Sequence, residues 1–170
     1  MKEAGFTFTV EKPEVEESYP DELPAEQVAR YLATKKAEYF RSEIHAGQVI
    51  VTADTVVILD GKIINKPANR VEAIQMLASL SGKSHLVMTG VCILSAEKEI
   101  SFDDTTEVTF RKLTPEEIDF YIDNYKPYDK AGAYGAQDFI GMIAIEKIVG
   151  SYFNVMGLPI HKVYAALKTW

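Results

Sequence analysis

Gln48 to Leu59 reads QVIVTADTVVIL, and the fold turns on this stretch. A nearly continuous apolar run of this length suggests an internal strand covered on both faces. Asp54 interrupts it. A carboxylate inside such a strand is costly unless it is paired, bound to a metal or exposed at a cleft. The pattern alone leaves a structural ion pair and a chemical role both open.

Downstream, Asp60-Gly61 is a strong hairpin signal, leading into a short strand, Lys62 to Asn65, which Lys66-Pro67 ends. Asn69 with Glu72 three residues later makes a helix cap. The helix it opens carries Val71, Ile74, Met76, Leu77 and Leu80 until Gly82 stops it. Ser84 to Ser95 and Glu99 to Arg111 read as paired antiparallel strands turning at Ala96-Glu97-Lys98, with Cys92 as a core thiol. Thr114-Pro115-Glu116-Glu117 is a capping box with proline at the first helical position, and its helix runs to about Tyr125. Pro127 to Gln137 is a glycine- and tyrosine-rich loop in which backbone amides can approach a ligand closely. A strand is expected over Met142 to Val149, and Leu158-Pro159 opens a terminal helix ending near Trp170.

Upstream, Gly5 to Val10 alternates like a half-buried strand. An acidic stretch from Glu11 to Glu26, including Glu17, reads mostly as a solvated loop. Pro24 to about Ile44 is helical. At ~100° per residue, Val28, Ala29, Leu32, Tyr39 and Phe40 form one inward stripe. Lys36 falls in the middle of that stripe. A lysine there must snorkel outward, be buried at a cost, or point its ammonium at an anion. Lys35, at the stripe's edge, reads as solvated.

The whole chain, 1–170, reads as one domain, a length that buries a core without staples. Helices and strands alternate before strands pair in hairpins, so the expected class is α/β with a mixed sheet. A single cysteine excludes a disulfide framework and suits a reducing, cytosolic setting. His45, His85 and His161 are scattered, which argues against a histidine metal site or nucleophile enzyme. Eighteen basic against twenty-five acidic side chains give −7, the opposite of a nucleic-acid-binding surface. No apolar run of ~18 residues is present to span a membrane, and the first residues lack a signal-peptide core.

Taken together, several segments resemble the Maf family of nucleoside triphosphate pyrophosphatases, also called septum formation proteins. They are Glu16-Glu17, Leu32 to Ala37, Ala53-Asp54-Thr55-Val56-Val57, Asn65-Lys66-Pro67, Leu80 to His85, Met88-Thr89-Gly90, Asp129 to Gln137, Gly150-Ser151-Tyr152 and Val155 to Pro159. Their order matches the family's, and they cover nearly the whole chain. The resemblance implies an α/β fold, a mixed sheet flanked by helices with a deep cleft, similar also to inosine triphosphatases. It implies hydrolysis of a nucleoside triphosphate substrate to monophosphate and pyrophosphate, in the cytoplasm, with a divalent cation, magnesium or manganese. Members are often dimeric, so a homodimer is an expected assembly.

By the same resemblance, Asp54 matches the catalytic proton acceptor, and Thr55 and Gln137 match positions tied to base specificity. Glu17, Lys36, Lys66 and Lys130 match polar residues lining the cleft. Asp-Thr together with Gly-Ala-Gln looks like the dTTP/UTP branch. The chemistry of these residue types agrees. Asp54 can deprotonate a water or hold the metal, Glu17 can share that metal, and Lys36 and Lys66 can meet phosphates. Gln137 has the donor and acceptor that a pyrimidine edge requires.

The departure is at the start. Members normally open with an apolar strand, a Ser-x-Ser-Pro-Arg-Arg loop and a helix. Met1 to Gly5 resembles only the end of that helix. The expectation is therefore an exposed sheet edge and little or no turnover by the chain as written. The alternatives are a catalytically weak nucleotide-binding protein acting in cell division, and a purine-preferring, inosine triphosphatase-like enzyme.

Overall fold

A computed structural model describes residues 1–170 and places the run around Asp54 in strand β1, Ile50–Leu59. The turn at Asp60-Gly61, both with positive φ, carries the chain into β2, Lys62–Ile64. Strands β3, Ser84–Leu94, and β4, Glu99–Phe110, form a long hairpin, and β5 spans Ile145–Val149. The sheet order is β2-β1-β3-β4-β5. Every pair in it is antiparallel, so the parallel pairing of a mixed sheet is not found. The α/β class stands, because helices cover both faces.

Helix α1, Ala25–Tyr39, covers one face. Val28, Ala29 and Leu32 pack on Val56, Ile58 and Met88, and Ala33 and Ala37 on Cys92 and Leu94. The inward stripe is as its periodicity predicts up to Ala37. Beyond it the helix ends, Tyr39 is 43% exposed, and a 3-10 turn, Arg41–Glu43, replaces the expected continuation to Ile44. Helices α2, Arg70–Leu80, and α3, Pro115–Tyr125, cover the opposite face. There Leu77, Leu80, Tyr121 and Ile122 join Val57, Val87, Val108 and Phe110 in the main core. The Asn69 cap and the Thr114–Glu117 capping box form as the sequence predicts.

One expected strand is absent and another is shortened. Gly5 to Val10 has no regular structure: Val10 is 85% exposed, and only Phe6 finds a ring partner, Tyr164. Alternation suits a half-buried edge strand, yet no strand of the sheet pairs with this segment. Met142 to Ala144 belongs to helix α4, Phe139–Ala144, and only the second half of the expected strand is β5. The helix wins because Ile140 and Ala144, four apart, both reach the core while Met142 between them is 75% exposed. The short helix α5, Tyr152–Val155, and the terminal α6, Ile160–Lys168, complete the chain. No helix is long and apolar enough to cross a membrane.

One core group makes the fold acid-sensitive. His85 is buried, meets the Tyr134 hydroxyl at 2.7 Å through Nε2, and leaves Nδ1 without a partner. Burial lowers its pKa from 6.5 to about 4. The unfolded chain therefore binds a proton in a range where the folded one does not, so stability falls as pH drops from about 6.5 toward 4. The loss reaches roughly 3 kcal/mol, since each tenfold difference in proton affinity is worth ~1.4 kcal/mol. Thermal unfolding followed from about pH 7.5 to about pH 4.5 should show this decline. His85→Gln, which does not titrate, should flatten it; an unchanged slope in that variant rejects the assignment.

Candidate functional site

Strand β2 pairs only with Val57 to Leu59. Ala53, Asp54 and Thr55 of β1 therefore lie on a stretch of sheet edge with no outer neighbour. Alternate residues of a strand face opposite sides, so only at such an edge can neighbours such as Asp54 and Thr55 border a single space. They do: a cavity of about 250 Å³ wraps this edge. Its other walls include Lys36 from α1, Lys66 after β2, Lys130 and Gln137 from the loop, and Met156-Gly157 after α5.

Lys36 ties the site together. Its ammonium donates to Asp54 Oδ2, and to Glu17 Oε1 at 2.8 Å. The other oxygen of Glu17 accepts from Lys66 Nζ at 2.6 Å. Hydrogen bonds from Lys36 and then Lys66 outweigh desolvation at Glu17 and hold its carboxyl at about 2. Burial pulls the Lys36 ammonium down, but its bonds to Asp54 and Glu17 together leave it above its ordinary value. For Asp54, whose side chain is 10% exposed, burial prevails over the Lys36 hydrogen bond and raises the carboxyl above the usual aspartate value. The result is a charged lysine beside a carboxylate with enhanced affinity for a proton. Lys35, expected to be solvated, is half-buried and donates to the Ser18 carbonyl and hydroxyl.

The loop that supplies Lys130 and Gln137 is set from the core. Tyr121 on α3 donates its hydroxyl to Asp138 Oδ2 at 2.9 Å and accepts from the Gly135 amide at 3.2 Å. A 3-10 turn, Ala131–Ala133, packs on Val57, with φ of 67° at Gly132 and 59° at Ala133. A left-handed alanine is held only where its surroundings enforce it. A Cβ at Gly135 would sit 2.6 Å from Asp138 Oδ2 and 3.1 Å from Lys130 Cε, so a side chain there would have to displace both. Lys130 Nζ donates to Asp129 Oδ1 at 3.0 Å.

Thus Lys36, Asp54, Thr55, Lys66, Lys130 and Gln137 share one cavity, and Glu17 binds two of them from the irregular N-terminal segment. Asp129, Tyr134 and Met156 also line it, although no pattern in the sequence marks them individually. Their place in the glycine-rich segments is the one signal that points to them. Glu17 and Asp54 both direct a carboxylate oxygen at the same ammonium, so two hard donors converge where a cation already sits. No group of three or more histidine, cysteine, aspartate or glutamate side chains is poised to hold a metal. The two carboxylates suit magnesium or manganese, whose remaining ligands would be phosphate oxygens and water.

The family model described as Maf-like protein matches residues 1–170. A dTTP/UTP pyrophosphatase of Phocaeicola vulgatus is 53% identical over 165 residues, covering 96% of this chain and 86% of that protein. One of Bacteroides thetaiotaomicron is 49% identical over 169 residues, covering 99% and 88%. One of Porphyromonas gingivalis is 50% identical over 158 residues, covering 92% and 79%.

Proposed function

Because the chain belongs to the Maf-like protein family, and its relatives are named dTTP/UTP pyrophosphatases, we propose that it hydrolyses dTTP and UTP to the monophosphate and pyrophosphate. The observation that carries this reading is the chain of contacts Asp54–Lys36–Glu17–Lys66 on an open strand edge beside Thr55. It sets a buried carboxylate with raised proton affinity next to cations that an anionic substrate can recruit.

Cleavage between the α and β phosphates requires a positioned water and neutralisation of the departing pyrophosphate. Asp54 takes the proton from the attacking water, for which a carboxylate of raised pKa is the better base. Lys36, Lys66 and Lys130 meet phosphate oxygens as point charges, displacing Glu17 and Asp129 as their partners. A divalent cation bound by Asp54 and Glu17 would neutralise phosphate charge and acidify a bound water. Thr55 and Gln137 read the base. The working compartment is the cytoplasm, and the expected assembly is a homodimer.

The test is pyrophosphate release from UTP, dTTP, CTP and 7-methyl-GTP with magnesium or manganese. Turnover of UTP and dTTP above the other two is the expected result. Preference for 7-methyl-GTP, or release from none of the four, overturns the proposal.

A further inference from the structure

Thr89 has been given no part in the chemistry, yet it stands directly opposite Thr55 across the β1–β3 pairing. It is completely buried. Its hydroxyl donates to the Asn154 carbonyl at 3.0 Å, and a carbonyl can only accept. Asn154 is itself immobilised. Its side-chain amide donates to the Val87 carbonyl and to Thr106 Oγ1, both at 3.0 Å, and its amide N–H donates to Ser151 Oγ at 3.3 Å. The same Asn154 carbonyl accepts the Gly157 amide at 2.9 Å.

A threonine hydroxyl has one hydrogen. Since Thr89 gives its hydrogen to Asn154, the 2.9 Å contact between Thr55 Oγ1 and Thr89 Oγ1 has only one polarity: Thr55 donates and Thr89 accepts. Thr55 has then committed its hydrogen inward and turns only lone pairs to the cavity. Nothing covers them from Gly157, where a Cβ would lie 3.5 Å from Thr55 Oγ1.

We infer that Thr89 is a positioning residue for base selection, fixing Thr55 as a hydrogen-bond acceptor that takes the N3–H of uracil and thymine and refuses the bare N3 of cytosine. This rests on the proposed action on dTTP and UTP. The two bases share an imide edge, a ring N–H flanked by carbonyls, whereas cytosine presents a lone pair and an amine there. Gln137, in the same cavity, has an amide N–H₂ to offer a flanking carbonyl. A site built around a fixed polarity rejects the base of opposite polarity because two acceptors then face each other unpaired.

The experiment is the ratio of kcat/KM for UTP over CTP in the parent, Thr89→Val and Thr89→Ser. Valine removes the inward acceptor, so the Thr55 hydrogen is free to turn toward cytosine N3. The ratio should narrow by about tenfold or more, chiefly through KM, and serine should restore it. An unchanged ratio in Thr89→Val, with both substrates slowed alike, shows a merely structural residue and overturns the inference alone. A parent that treats UTP and CTP equally overturns the underlying proposal along with it. Should Thr89→Val not fold, the parent assayed with N3-methyl-UTP decides: turnover equal to that of UTP overturns the inference.

Discussion

Asp54→Asn is expected to lower kcat for UTP by ~10²–10⁴-fold, the usual worth of a general base. The substitution keeps shape and one oxygen, but removes the group that accepts the proton. It also removes the only other carboxylate that contacts Lys36 besides Glu17. The pH profile supplies an independent reading. Asp54 works ionised, and burial lifts its carboxyl above the usual aspartate value. The parent's activity should therefore rise with pH through an acidic limb that reports the Asp54 carboxyl. Lys36, held above its ordinary value after its bonds to Asp54 and Glu17 offset burial, stays charged throughout that range. The asparagine variant should lose the limb as well as the rate. Near-normal turnover in the variant would remove Asp54 as the base.

The second large effect is on folding. Gly90, in the Met88-Thr89-Gly90 segment, is the cross-strand partner of Asp54. A Cβ built there lies 2.2 Å from the Arg30 nitrogen and 2.3 Å from Ala29 C and Arg30 Cα. These are backbone atoms of α1 and have no rotamer by which to yield. Gly90→Ala must therefore lift the helix from the sheet, loosening the contacts of Val28, Ala29 and Leu32 with Val56 and Met88. Overpacking typically costs ~1–3 kcal/mol, and a clash with backbone belongs at the upper end of that range or beyond. For a domain of this size ~3 kcal/mol lowers Tm by about 6–12 °C. Because α1 carries Lys36, whatever folded protein remains should also lose turnover. Unfolding within about 2 °C of the parent would show that the sheet has slack at this point.

The site was more legible than the fold at its margins. A charged residue in an apolar strand is an anomaly that needs a partner, and helical phase turned Lys36 inward: one sequence pattern gave Asp54, another gave Lys36, and they meet. Thr55, Gln137, Glu17, Lys66 and Lys130 carry no such signature and were visible only through the resemblance. The strand expected at Gly5 to Val10 failed for a related reason. Alternation describes a segment's own faces, but pairing depends on whether another strand offers an edge.

By itself the sequence determined the elements whose causes are local. The Asp60-Gly61 turn, the Asn69 and Thr114 caps, the β3–β4 hairpin and the inward stripe of α1 are each specified by residues a few positions apart. Tertiary structure decided what depends on residues far apart in the chain. It paired β2 with Val57 to Leu59 alone and so left the edge of β1 open at Asp54, and it buried that carboxylate until its proton affinity rose. It also set Thr89 against Thr55 and Asn154, three residues whose hydrogen-bond polarity is fixed only when two strands and a distant helical turn are brought into contact. Local propensities act over a few residues, whereas desolvation and hydrogen-bond direction are properties of the assembled surroundings.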